Sequence, residues 1–258
     1  MKKTLLEKTA DKLVNAFVNN KIIAPLPTRF TKILNDAQKL RKLCESKVKD
    51  PIIGFKAAGT SISVMKKLKE KKPFYASIFK MNFIKSGKKV KINKSTLGIE
   101  LEVCYLIKKN FFSSKGSITM KNVTKHISHM APCIEVVGYR QKKKGITSFG
   151  DLCSDFGANV KFLIGQKKKY RKINIGNLKT NISNKKIGQS VDGNTNTVYI
   201  NPLNSLRFVL SELKKDKVNL DKDFYVFTGS TVGVVPILGK GLYTGKVAQL
   251  GTAKAIIH

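Results

Sequence analysis

Three carboxylates carry the chemical information in this chain of 258 residues and formal net charge +34: Glu100, Glu102 and Glu135. They are the only acidic residues between positions 71 and 150. Each sits in an apolar, β-branched run, Gly98-Ile99-Glu100-Leu101-Glu102-Val103 and Cys133-Ile134-Glu135-Val136-Val137. Successive side chains of a strand alternate faces, so Glu100 and Glu102 point the same way. Two such carboxylates repel each other. A divalent cation resolves the repulsion, and all-oxygen ligation suits Mg²⁺ or Mn²⁺. A solvated strand face whose glutamates pair with surplus lysines resolves it equally well, and spacing alone leaves both readings open.

Three other constellations bear on chemistry. Lys56 lies between glycines in Gly54-Phe55-Lys56-Ala57-Ala58-Gly59-Thr60-Ser61. In a largely apolar pocket its pKa falls and it can transfer protons; otherwise it is one more surface lysine. Thr228-Gly229-Ser230 follows an apolar run; its backbone N–H groups and hydroxyls suit a substrate carboxylate, or an ordinary turn. His126 and His129 share a face if helical, but no HExxH pattern and no third ligand accompany them, which favours a structural role. His258 is the only other histidine, so a Ser-His-Asp triad has little support.

These residues need elements to position them. Leu5, Leu6, Ala10, Leu13, Val14, Phe17 and Val18 follow helical spacing over 3–19, and Pro25 and Pro27 end the pattern. A second helix is expected from Ala37 to Cys44, capped by Asn35 or Asp36. From Ile52 onward short β-branched runs alternate with Gly, Asn, Ser and Lys turns. Strands are expected at 52–55, 74–79, 89–92, 99–107, 134–137, 159–164, 172–175, 197–200, 224–227 and 241–247. Helical interruptions are expected at 121–129 and, after Asn201-Pro202, at 203–213. The pattern predicts an α+β protein with a rolled sheet: a helical portion at 1–50 and a β-rich core at 51–258, forming one structural unit.

Bulk composition narrows the function classes. No apolar run is long enough to span a bilayer, and Glu7, Lys8 and Asp11 interrupt any signal-like start, so no membrane or secretory role is expected. Cys44, Cys104, Cys133 and Cys153 form no CxxC pair and read as reduced thiols of a cytoplasmic protein. Lysines cluster at 66–72, 85–94, 142–144 and 167–172, which invites a polyanion-binding reading. Against specific nucleic-acid binding, only Arg29, Arg41, Arg140, Arg171 and Arg207 are arginines, the clusters fall in expected loops, and no recognition motif accompanies them.

Taken together, the segments resemble the 2-keto-4-pentenoate hydratase / 4-oxalocrotonate decarboxylase branch of the fumarylacetoacetate hydrolase superfamily. The resemblance runs through a helical start, Gly-Phe-Lys-Ala-Ala-Gly-Thr-Ser at 54–61, Gly-Ile-Glu-Leu-Glu at 98–102 and Ile-Glu-Val-Val-Gly-Tyr-Arg at 134–140. It continues through Ser-Asp-Phe-Gly-Ala-Asn at 154–159, Asn-Pro-Leu-Asn at 201–204 and Phe-Thr-Gly-Ser at 227–230. It implies that Glu100, Glu102 and Glu135 bind one Mg²⁺ or Mn²⁺, that Lys56 transfers the proton, and that Thr228, Gly229 and Ser230 lie beside the substrate carboxylate. It further implies the superfamily's rolled-sheet fold and a homo-oligomer. Asp155 and Arg140 belong either to the site's surroundings or to the fold.

The chemistry implied is that of a 2-oxo acid chelating a metal and passing through an enolate. Water addition to a 2-hydroxy-2,4-dienoate, giving a 4-hydroxy-2-oxo acid, matches that branch; decarboxylation and C–C hydrolysis are the alternatives on the same scaffold, and a basic polyanion-binding protein is the non-enzyme alternative. One departure stands out. Where many such hydratases carry an acid after the lysine loop, this chain reads Pro73-Phe74-Tyr75-Ala76, leaving Tyr75 as the substitute acid.

Overall fold

The computed structural model describes residues 3–93, 95–142 and 145–258. Lys94, Lys143 and Lys144, which belong to two of the lysine clusters above, lie outside the described residues. Thr4 opens helix α1 (Leu5–Val18) with a capping box: its hydroxyl accepts from the Glu7 N–H, and the Glu7 carboxylate accepts from the Thr4 N–H. A short α2 (Thr28–Lys32) precedes α3 (Leu34–Lys47). Helix α3 begins before the expected Ala37 because Asp36 is not its cap; that carboxylate accepts from Arg29 Nε at 2.6 Å and ties α3 to α2.

Beyond the helices the chain runs through β1 (Ile52–Ala58), α4 (Ile62–Lys67), β2 (Phe74–Phe79), β3 (Phe83–Lys85), β4 (Lys89–Val90) and β5 (Thr96–Ile107). Then come β6 (Ile127–Gly138), α5 (Phe149–Ser154), β7 (Asn159–Ile164), β8 (Lys168–Lys169), β9 (Lys179–Asn184) and β10 (Gln189–Asn194). The last elements are α6 (Pro202–Lys215), β11 (Phe224–Ser230), β12 (Gly241–Val247) and β13 (Gly251–Ile257). Helix α6 starts where Asn201-Pro202 predicts, with Asn201 Oδ1 accepting from the Asn204 N–H at 3.0 Å.

Three expectations are corrected. The helix over 121–129 is a short 3-10 turn, Val123–His126, that feeds directly into β6. The pairing Ile107↔Ile127 and Leu106↔His129 draws this polar segment into the sheet as the partner of β5. The runs at 172–175 and 197–200 are not strands; the second ends in Tyr199 and Ile200 at positive φ, which breaks extended structure.

Among the described residues the strands form two sheets. The larger is mixed, in the order β2-β1-β11-β5-β6-β7-β3 with β8 beside β6; β1 runs parallel to β11, and β3 to β7. The smaller has the order β10-β9-β12-β13-β4. This is the α+β architecture with a rolled mixed sheet that the sequence predicts.

Parity sorts the two faces of the larger sheet. Ile99, Leu101, Val103 and Tyr105 of β5, with Ile134 and Val136 of β6, pack against Leu206, Val209 and Leu213 of α6 and against Tyr243 and Val247 of β12. Each such side chain contributes about 1.5–3 kcal/mol of burial. Helices cover part of the opposite face: Phe17 of α1 with Leu40 and Cys44 of α3 clusters with Phe79 and Phe156, and Ala37 of α3 with Phe149 and Leu152 of α5 packs with Ala58, Ala76 and Ala158. They lie over the β1–β2 end of the face that bears the glutamates. No helix among the described residues is long and apolar enough to cross a membrane.

Candidate metal centre and active site

Strands β5 and β6 pair antiparallel over nearly their whole length, with Glu100 opposite Glu135 and Glu102 opposite Cys133. All three glutamates therefore share one face. One oxygen of each lies within 4.8 Å of the other two, and this is the one cluster of acidic, histidine or cysteine side chains among the described residues that can hold a metal ion. Glu102 and Glu135 are fully buried.

Strand β1, separated from β5 by β11, brings Lys56 to the same face through the register Lys56↔Phe227↔Cys104. Its buried ammonium donates to Glu135 Oε1 and, at 3.1 Å, to the Gly157 carbonyl. The Gly229 N–H donates to Glu102 Oε2 at 2.9 Å. Glu102 Oε1 and Glu135 Oε2 are buried without a donor. Burial, foremost, and the neighbouring Glu135 push the Glu100 carboxyl up to about 7. Burial also pushes Glu102 up to about 7, against the pull of Lys56. Glu135 is raised as well, again chiefly by burial. Three carboxylates, two of them fully buried, face one ammonium and, when ionised, are short of positive charge. A divalent cation brings the set to neutrality, and the donorless oxygens are where it fits. The residues present thus suit a hard cation such as Mg²⁺ or Mn²⁺.

Lys56 departs from the expected depressed pKa. Burial alone lowers it, but Glu135, Glu100 and Glu102 outweigh burial and hold the ammonium protonated above its ordinary range. The neighbouring segment looks apolar in sequence, and the carboxylates arrive from strands remote in the chain.

The Gly157 carbonyl reaches Lys56 through an unusual turn. Phe156, Gly157 and Ala158 are consecutive residues at φ 51°, 66° and 58°. A left-handed conformation costs a non-glycine residue about 1–2 kcal/mol, so the turn must be held by its surroundings. Arg140 holds it: its backbone N–H donates to Asp155 Oδ2 at 2.8 Å, Nη1 donates to Asp155 Oδ1 at 3.1 Å, and Nη2 donates to the Asn159 carbonyl. Asn159 Nδ2 donates to the Phe156 carbonyl at 2.7 Å, and the Phe156 ring stacks on Phe17 with centroids 4.1 Å apart. Arg140 and Asp155 thus act on the site through the turn.

A cavity of about 750 Å³ opens over Lys56 and Glu100. Gly229 and Ser230 line it, but Thr228 does not. The Thr228 hydroxyl donates to the Val103 carbonyl at 2.8 Å, and Ser230 Oγ donates to the Gly233 carbonyl at 2.8 Å. The expected anion cradle is largely consumed inside the protein: the Gly229 N–H aims the carboxylate of Glu102. Tyr75 is placed on the other face of the sheet. It pairs with Ala57, whereas Lys56 pairs with Ala76; its hydroxyl donates to Asp216 Oδ2 at 2.5 Å, and Arg41 sits 4.8 Å from its ring. It does not line the cavity. His126 lies against Phe111, and His129 Nδ1 contacts Ser128 Oγ at 3.2 Å, both away from the glutamates. Sequence reasoning missed the cavity walls, which come from α4, β10 and the loop after β11 and carry no local chemical signature.

No protein-family model matches the chain, and no curated protein matches it. Solved structures do. The 4-oxalocrotonate decarboxylase of Pseudomonas putida G7, complexed with calcium and acetate, superposes with a TM-score of 0.85 at 19% identity, covering 100% of this chain and 99% of that one. The same enzyme complexed with magnesium and adipate gives 0.85 at 20% identity, covering 98% and 97%. The fumarylpyruvate hydrolase of Pseudomonas aeruginosa, in complex with Mn²⁺ and pyruvate, gives 0.57 at 12% identity, covering 82% and 91%. The chain has the fold of the fumarylacetoacetate hydrolase superfamily, the fold that its motifs imply.

Proposed function

We propose that this protein is a divalent-metal-dependent lyase of 2-oxo acids, adding water to a 2-hydroxy-2,4-dienoate to give a 4-hydroxy-2-oxo acid. One observation carries the reading: three convergent carboxylates, two with donorless oxygens, lie beside a buried lysine, and that lysine and Glu100 line an open cavity. The metals and small acids named with the similar structures support it. Glu100, Glu102 and Glu135 hold the cation. When bound, the metal polarises the 2-oxo group and stabilises negative charge on its oxygen. Lys56 carries three N–H donors, of which two are committed to Glu135 and Gly157. The third serves the substrate, and Lys56 moves the proton between oxygen and carbon as the dienol ketonises. Gly229 and Ser230 lie against the substrate beside Glu102.

Decarboxylation is the second reading. It is favoured by the whole-chain superposition on 4-oxalocrotonate decarboxylase and by the orientation of Tyr75, which leaves Lys56 as the cavity's protonated side chain. Product analysis separates the two. With Mg²⁺ or Mn²⁺ present, 2-hydroxypenta-2,4-dienoate should be consumed with formation of 4-hydroxy-2-oxopentanoate. CO₂ release from 4-oxalocrotonate without dienoate hydration would replace the first reading by the second. Inactivity on both acids, in the presence and absence of EDTA, would remove both.

A further inference from the structure

We infer that the cavity admits 2-oxo acids whose far end is bulky, apolar and uncharged, and discriminates against dicarboxylates. The inference rests on the hydratase reading above, not on the second reading, whose substrate 4-oxalocrotonate is a dicarboxylate, and it concerns the part of the substrate that the hydratase reading leaves open.

Burial sets the depth of the site. Lys56, 3% exposed, and Glu100 line the cavity, and Glu102 and Glu135, 0% exposed, complete the same charged cluster behind them, so charge lies at the inner end. Ile62 and Val64 of α4, Ile146 ahead of α5, and Val234 after β11 line the same cavity at 40%, 40%, 37% and 46% exposure. Branched hydrocarbon left open to water is unfavourable, and a cluster of it around one opening marks a surface that a ligand covers. A charged floor beneath a hydrocarbon rim selects a molecule that enters acid first and leaves an apolar tail at the mouth.

The charges point the same way. Among the described residues lining the cavity, Lys56 is the one cation, and it is committed to Glu135 and Gly157. Beyond Glu100, the other charged wall residue is Asp192 of β10, an exposed carboxylate that accepts from Asn181 Nδ2 at 2.8 Å. Most wall hydroxyls are engaged with the protein: Thr197 Oγ1 donates to the Asn194 carbonyl at 2.8 Å, Thr231 Oγ1 to the Leu101 carbonyl at 2.9 Å, and Ser61 and Ser63 share one hydrogen bond at 2.8 Å. A second substrate carboxylate would meet hydrocarbon, few uncommitted donors and a like charge. The volume, about 750 Å³, lies in the range of pockets for ligands much larger than a five-carbon acid, roughly 300–1,000 Å³.

Calorimetric titration of the full chain in Mg²⁺ with pyruvate, 2-oxooctanoate and 2-oxoadipate tests this. Pyruvate reports the head group alone. Each sheltered methylene is worth roughly fourfold in Kd before ordering costs, so 2-oxooctanoate should bind roughly tenfold or more tighter than pyruvate. 2-Oxoadipate should bind no tighter than pyruvate. Val234→Lys, at an exposed rim position, should improve 2-oxoadipate by roughly fivefold and weaken 2-oxooctanoate. If pyruvate binds and 2-oxoadipate equals or exceeds 2-oxooctanoate, the inference is overturned while the metal reading stands. Unchanged affinities for both 2-oxoadipate and 2-oxooctanoate in Val234→Lys overturn the role given to the rim. If no acid binds in the presence of Mg²⁺, the underlying reading fails and the inference falls with it.

Discussion

Replacing Glu102 with glutamine should have opposite effects on the metal-loaded and metal-free protein. On the proposed function, Mg²⁺ binds the folded wild type alone, because the three glutamates converge only across the β5–β6 pair and its neighbours. At a free Mg²⁺ concentration about a hundredfold above Kd, linkage stabilises the fold by about 2.7 kcal/mol. For a chain of this length that corresponds to a rise in Tm of roughly 5–10 °C. Glu102→Gln removes one ligand charge and should abolish most of that rise. In EDTA the same change is benign. The Gln carbonyl still accepts the Gly229 N–H, its amide can donate to the donorless Glu135 Oε2, and one of three repelling charges is gone. The metal-free variant should therefore melt within about 1 kcal/mol of wild type, or above it. Scanning calorimetry of both proteins in EDTA and in Mg²⁺ gives the four values required. An equal Mg²⁺-dependent rise in wild type and Glu102→Gln, or no rise in wild type, would refute the assignment of this cluster as the metal site.

Three further outcomes follow from the geometry. Lys56→Met should lower kcat by about 10²- to 10⁴-fold while keeping the Mg²⁺-dependent rise in Tm, because it removes the proton carrier and leaves the three carboxylates in place. Gly229→Ala should destabilise by roughly 2–4 kcal/mol in urea unfolding and shrink the Mg²⁺ response. Gly229 sits at φ +105°, its added Cβ would lie 2.0 Å from Thr60 Oγ1, and its N–H orients Glu102. Tyr75→Phe should cost about 1 kcal/mol through the lost bond to Asp216 and change kcat by less than about twofold; a drop beyond about tenfold would return Tyr75 to proton transfer.

What the sequence reveals depends on whether a signal is local. The alternation Glu100-Leu101-Glu102 needs only the period of a strand, and the start of α6 needs only Asn201-Pro202, so both are legible. The first half of β6 is not, because its lysine- and histidine-rich lead-in owes its extended form to pairing with β5. Strand β9, Lys-Thr-Asn-Ile-Ser-Asn, is nearly as opaque. Its inward residues include Thr180 and Asn184, so polarity hides the alternation that burial obeys. Tyr75 was expected in the site on its neighbourhood in the chain, but sheet parity turns it to the far face. The raised pKa of Lys56 and the tied-up turn at Thr228–Ser230 come from partners remote in sequence, which no local motif can disclose.

The net charge of +34 and the chemistry of the cavity act at different ranges. Lysine-rich loops attract any small anionic acid from solution, and a dianion more than a monoanion, over a Debye length of about 8 Å at physiological salt. That field raises encounter rates but carries no information about the shape of the tail. Selection begins at the mouth, where Ile62, Val64 and Val234 offer hydrocarbon and Asp192 offers a like charge. A dicarboxylate should therefore arrive readily and leave quickly, and an acid with an apolar tail should be distinguished chiefly by slower departure. At the floor, the same arithmetic is reversed. The carboxylates of β5 and β6 outnumber the single ammonium of Lys56, so a strongly basic protein carries at its centre a local excess of negative charge that suits a cation. On the proposed function, the lysines outside and the glutamates inside serve successive steps, encounter first and metal-assisted chemistry second.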